Sequence, residues 1–270
     1  MEPTLGVALL WVLFGGTHIG LAAGPIRRRL VARLGEMGFT VLFFLVASAA
    51  FGALAAYYAA HRFEGAAGLA LANWAVARWV LMIAAVAGLA LTAPALVLYP
   101  RLPAALFGQS IRSPRGIERV TRHPFFAGLT LFALAHTLLA THLVGAVFFG
   151  GFAFLSVVGA WHQDRKLRER RGTAYADYVA ATSAVPFAAV VSGRQQLVWS
   201  ELPLAALVIG FGIAVALRLW HSALFASGGA WIIGVVVGGA LAAGLSAWRR
   251  SVRVADHRLR NRPQALEDLP

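Results

Sequence analysis

The chain has 270 residues, 59% of them hydrophobic and only 13% charged, about half the charged fraction of an average soluble domain (about 25%). That balance excludes a soluble enzyme and a disordered chain. Despite a net charge of +13 it also excludes a nucleic-acid-binding protein, which needs its basic residues on one water-facing surface.

The 24 Lys and Arg instead separate long apolar runs, the pattern of a polytopic membrane protein. The start, Met1-Glu2-Pro3-Thr4, has no basic n-region, so the first apolar run is expected to stay in the mature protein. Seven stretches are long enough to span: Leu5–Gly24, Phe39–Ala60, Trp79–Leu98, Phe125–Leu143, Val144–Trp161, Leu202–Trp220 and Gly229–Trp248. The fourth and fifth nearly touch, which predicts a tight hairpin at Thr141–Gly145. No alternating ten-residue segments suggest a β-barrel.

Between these spans the Lys and Arg alternate, with 21 on one side and 3 on the other. The rich side is expected to be cytoplasmic. The fold class expected is therefore an all-α polytopic bundle of about seven transmembrane helices, N-terminus out and C-terminus in, in a bacterial-type inner membrane. Three parts are expected: residues 1–197 with five spans, 198–248 with two more spans of the same bundle, and a basic tail over 249–270. Within the first part, His162–Pro186 carries Leu167, Tyr175, Tyr178 and Val179 among basic residues and is interrupted at Gly172. It reads as an interfacial helix lying on headgroups, or as a solvated charged helix.

Ionisable residues inside hydrocarbon are the functional suspects. His18 in the first span sits among Gly16, Gly20 and Gly24, a small-residue ladder that admits a helix or a flat ligand. It is either a ligand or a neutral histidine bonded across helices. His136 in the fourth span has the same two readings. At the cytoplasmic edges stand His123, opening the fourth span before Pro124, and His162, following the fifth. Arg122 with His123 is an interfacial anchor or an anion site, and Arg119 is a second candidate headgroup contact. Asp164 and Arg168 form an i,i+4 pair. No cysteine is present, so disulfides, thiolate metal sites and covalent c-type haem attachment are excluded. Neutral imidazole in lipid remains, as a haem or metal ligand or a proton carrier.

These residues resemble a known family. Gly16-Thr17-His18-Ile19-Gly20 with the later Leu34-Gly35-Glu36, the run Gly116–Pro124 containing Arg122-His123-Pro124, and Ala135-His136-Thr137 are similar to NnrU-type membrane proteins. So are Asp164-Arg165-Lys166-Leu167 and the run Thr182–Ala189. The resemblance covers roughly residues 10–197. Tyr58–Gly65, Gly159-Ala160-Trp161 and Gly193–Leu197 are closer to the 15-cis-ζ-carotene isomerase branch. A remoter likeness is to membrane methyltransferases of the isoprenylcysteine type, where Arg122-His123 would lie near a cofactor.

The resemblance implies non-covalent haem b, held by histidine, and redox-dependent cis–trans isomerisation of a polyene, a carotenoid-like lipid. For the NnrU branch it implies instead a non-enzymatic role in nitrite and nitric oxide metabolism. His18 matches the N-terminal haem ligand of the isomerase branch. The second ligand falls at Leu155–Ser156, where this chain has no imidazole. His18 lies about 9 Å and Ser156 about 8 Å from the cytoplasmic ends of their spans at ~1.5 Å per residue. His123 and His162 are shallower, and His136 is about 20 Å deep by the same measure. The partners expected are the bilayer and either a polyene or another hydrophobic lipid or nitric oxide.

Overall fold

In a computed structural model of the chain, residues 2–98 and 111–242 are described. Eight α-helices run through them: α1 Pro3–Ala22, α2 Gly24–His61, α3 Ala75–Leu98, α4 Pro124–Leu139, α5 Leu143–Ala181, α6 Ala188–Val191, α7 Leu204–Leu219 and α8 Ala230–Ala242. Among the described residues there is no strand, only an isolated bridge between Ala67 and His142. Each of the seven apolar stretches coincides with a helix. Four helices, α1, α2, α3 and α5, are long and apolar enough to cross a membrane. At about 1.5 Å per residue the 16 residues of α4 and of α7 reach only about 24 Å, short of a ~30 Å hydrocarbon core. The last expected span is described only over α8, and the tail with Arg249 and the loop holding Arg101 lie outside the described residues.

Local chemistry sets the helix ends. Pro3 opens α1 with its missing N–H at a position that needs none, and the Glu2 carboxylate accepts from the Leu5 N–H at 2.9 Å. Ala23 is extended and caps α2, with Pro25 in the first turn. Gly35 breaks α2 with φ 73° and ψ 170°, a backbone state that only glycine takes freely. The arginine-rich first eleven residues of α2 are thereby set off from its apolar remainder.

The main core joins α1, α2 and α5 through Val7, Phe14, Phe51, Leu54, Tyr58, Val144 and Phe148, with Tyr58 stacked on Phe148 at 3.9 Å. α3 packs on α4 and α7, and α4 on α5. The outward faces stay apolar: Val12 is 71% exposed, Ile83 66% and Phe154 70%, which fits a membrane environment. The α4–α5 connection is tighter than Thr141–Gly145, because α5 already begins at Leu143. The 66–70 loop clasps it: the Leu143 N–H donates to Ala66 O at 2.8 Å and the Gly68 N–H to Thr141 O at 2.9 Å.

α3 and α4 meet backbone to backbone. A Cβ on Gly128 would stand 2.5 Å from Thr92 Oγ1 and 2.6 Å from Gly88 O. Gly128→Ala should therefore destabilise the protein by about 1–3 kcal/mol through overpacking. Gly212→Ala on α7, where a Cβ meets nothing within 4 Å, should not. Thermal unfolding in detergent measures both, and equal melting of the two variants would disprove the α3–α4 contact.

Candidate functional site

The site is built on the two ends of the α4–α5 hairpin that lie away from its turn. α4 runs from Pro124 toward the turn and α5 returns past Trp161, so antiparallel packing brings Arg122 and His123 to the depth of Asp164. Arg122 donates to Asp164 through Nη2 at 2.7 Å and Nε at 3.1 Å, and His123 Nε2 lies 2.6 Å from Asp164 Oδ1. The Tyr175 hydroxyl also donates to Asp164. All four side chains are buried or nearly so. Asp164 thus takes Arg122 as its guanidinium partner, not Arg168 one turn away.

Tyr175 reaches Asp164 because Gly172, with φ 52° and ψ −127°, turns the last part of α5 back toward the bundle. Leu167, Tyr175 and Tyr178 form a small core with Ile111 and Val179. The two tyrosine rings expected on headgroups are thus buried against Leu167 within the protein.

The other motif segments close around the same carboxylate. The Arg122 N–H donates to Ser183 O at 2.9 Å, the Phe187 N–H to Val120 O at 2.8 Å and Thr121 Oγ1 to Ala184 O at 2.9 Å. Arg119 makes a two-pronged pair with Glu201, at 2.9 and 3.2 Å, and a bond to Gln195 at 3.0 Å. The Gly116 N–H adds 2.8 Å to Glu201. Arg119 and Arg122, the expected anion or headgroup contacts, are therefore met by carboxylates of the chain itself.

These carboxylates are held ionised. Arg119's hydrogen bonds and then the Gly116 N–H bring Glu201 down to about 2. At Asp164 burial pushes upward, but the bonds from His123, Arg122 and Tyr175 outweigh it and hold the carboxyl well below its usual range. Both pKa values are lower in the folded state, so both groups contribute stability that is full above the ordinary carboxylate range and is lost as pH falls toward 2. The melting temperature should drop between about pH 4.5 and pH 2, and Glu201→Gln should reduce that drop. A melting temperature flat across this window would contradict the pairing.

The candidate ligand histidines are spread out. His18 packs between Phe14 at 5.4 Å and Phe43 at 5.0 Å, and its Nδ1 is buried without a hydrogen-bond partner. Cβ atoms on Gly15, Gly16 or Gly20 would meet nothing within 4 Å, so no described helix uses the ladder. His162 has a buried Nε2 without a partner, and His123 a buried Nδ1. His136 is at the opposite end of α4, its Nδ1 2.9 Å from Phe132 O and its ring 6.3 Å from that of His221. Ser156 is buried and donates to Phe152 O at 2.7 Å, within its own helix. Among the described residues no three His, Asp or Glu side chains converge as a metal-ion cage.

Glu201 escaped the sequence reading, and Tyr175 entered it only as part of the expected interfacial helix. Asp164 had a signal: it is an isolated acid on a returning helix at the depth of Arg122-His123.

The sequence comparison then decides the family: residues 7–244 match the NnrU protein family. The chain is an NnrU-family protein. It is 30% identical over 211 residues to the chloroplastic 15-cis-zeta-carotene isomerase of Arabidopsis thaliana, covering 73% of this chain and 53% of that protein. It is also 30% identical over 195 residues to the Zea mays protein of the same name, covering 70% and 51%. The NnrU chain thus spans about half the length of these curated relatives. No solved structure matches it.

Proposed function

We propose that this NnrU-family chain is an integral membrane haem b protein that isomerises a cis double bond of a carotenoid-like polyene in a redox-dependent way. The observation that carries the reading is the 30% identity to two 15-cis-zeta-carotene isomerases across some 70% of the chain. Its support within the fold is His18, whose unpartnered Nδ1 is buried beside two phenylalanine rings. A buried imidazole nitrogen without a partner is costly unless something binds it, and neutral imidazole in an apolar site suits haem iron.

Haem iron, when bound, would supply the electron-transfer chemistry that weakens a double bond enough for it to rotate. The chain would do the rest. His18 would hold the iron, Phe14 and Phe43 would keep water from it, and Gly15, one turn earlier on the same helix face, would leave room for a flat ring system. The Asp164 cluster would fix the end of α5 relative to α4. Ser156 spends its hydroxyl on Phe152, so this chain would not close the site from α5 with an oxygen ligand. His162 and His123, each with a free ring nitrogen, stand near the same end.

In this reading all seven apolar helices span, with the Arg-rich side cytoplasmic in a bacterial-type inner membrane. A reporter fused after Pro270 should be cytoplasmic and one inserted near Glu64 external. An external C-terminal reporter would overturn the orientation. For the activity, purified protein is incubated with 15-cis-zeta-carotene with and without a reductant, and products are separated by chromatography. Conversion only under reduction supports the reading; no conversion in either state by a haem-loaded preparation refutes it.

A further inference from the structure

The first eleven residues of α2 and the polar continuation of α5 form a surface that the proposed isomerisation does not use. Residues 24–38 and 162–171 contain nine Lys and Arg but three acids. Each acid already has a cation: Glu36 accepts from Arg27 at 2.6 Å, Glu169 from Arg165 at 3.0 Å and Asp164 from Arg122 at 2.7 Å. Arg28, Arg29 and Arg33 are exposed on the segment set off by Gly35.

On α5, His162 and Lys166 are four residues apart and share one helix face. Lys166 is half-buried, and among the described residues no acid bonds its ammonium. Burial, then the charges of Arg170 and Arg27, disfavour that ammonium, against the favourable charge of Glu169. α1 runs alongside α5 with Trp11 against Phe152, so eleven residues further along each helix the start of α2 arrives level with His162 and Lys166. His162 adds a buried Nε2 with no partner. The nearby carboxylate, Glu169, is bonded to Arg165, so a half-buried ammonium here gains from an anion brought to it. The surface is also apolar on one side: Ile26, Leu30 and Leu34 repeat every four residues, with Ile26 44% and Leu34 49% exposed. A soluble anion has no use for that stripe, whereas an acyl chain does.

We infer that the elbow between residues 24–34 of α2 and the His162–Lys166 face of α5 binds the phosphate of an anionic phospholipid, whose acyl chains lie along Ile26, Leu30 and Leu34. The inference is tested through Lys166 and Arg28, neither of which the proposed haem site uses. Basic side chains at a membrane surface strengthen anionic lipid binding by about 1 kcal/mol each, roughly fivefold.

Full-length protein in neutral detergent is titrated with fluorescent phosphatidylglycerol and, separately, fluorescent phosphatidylcholine. Wild type should prefer the anionic lipid. Lys166→Gln and Arg28→Gln, at an exposed side chain, should each weaken phosphatidylglycerol binding about fivefold, while Arg218→Gln on α7 should not. Arg28→Gln keeps the test valid if Lys166→Gln fails to fold. Equal binding of the two lipids, or unchanged affinity in a folded Lys166→Gln or Arg28→Gln protein, overturns the site. Full competition by millimolar inorganic phosphate would overturn the lipid assignment in favour of a small-anion site.

Discussion

His18→Ala should abolish the Soret band expected of the purified wild type under the proposed function, a band that reduction should shift. Losing even an outer partner of a metal ligand costs roughly 10–100-fold in affinity, so removal of the proposed axial ligand should cost at least that. The substitution leaves a small gap between Phe14 and Phe43 on a helix held elsewhere by Val7, so folding should survive. Pyridine extraction identifies the haem type, and a melting curve separates haem loss from unfolding. A colourless wild type from haem-replete cells would sink the cofactor, and with it the role of His18. A refinement concerns Leu155 and Ser156: Ser156→His should shift the ferrous spectrum toward two-histidine, low-spin character. A wild-type spectrum already of that kind, and lost in His162→Ala or His123→Ala, would place the second ligand in those side chains instead.

Asp164→Ala is expected to be the most destabilising single change at the basic end. It removes one carboxylate and strands three groups: the Arg122 guanidinium, 11% exposed, the His123 ring, 2% exposed, and the Tyr175 hydroxyl. Breaking a buried pair from one side costs about 3–5 kcal/mol, because the remaining charge is left uncompensated. For a chain of this size that corresponds to roughly 6–20 °C in melting temperature. The double substitution Arg122→Met with Asp164→Leu should melt higher than Asp164→Ala alone, since no orphaned charge remains. If Asp164→Ala melts like wild type, the cluster does not hold the hairpin ends together.

The helices were legible because a hydrocarbon solvent permits so few sequences: each apolar run coincides with a helix over its described residues, four of them long enough to cross a membrane, and Gly172 marked a break. The histidines were legible as candidates because ionisable side chains are rare there. Pairing was harder. From sequence, Asp164 has Arg168 one turn away, and nothing local says that a guanidinium 42 residues earlier wins it. Only the return of α5 along α4 places Arg122 there, and only the turn at Gly172 adds Tyr175. For the same reason Tyr175 and Tyr178 looked like headgroup contacts: an amphipathic pattern states that a face is buried, not whether protein or lipid buries it. Arg119 and Glu201, 82 residues apart, carry no joint signal either. At His18 the sequence named the residue and left its environment open; the empty glycine face became visible only once no described helix covered it.

The α4–α5 hairpin is fastened twice, by the 66–70 loop over its turn and by the Asp164 cluster at its free ends. α1 around His18 has no comparable fastening: it is held there by ring contacts with Phe14 and Phe43, while its glycine side faces outward. Amide exchange should therefore be slowest and most cooperative along the hairpin and fastest, among the long helices, in the second half of α1. Under the proposed function, a hydrophobic molecule bound at His18 would then enter laterally, from the surrounding lipid through the breathing of one helix, with the hairpin behind it as the wall.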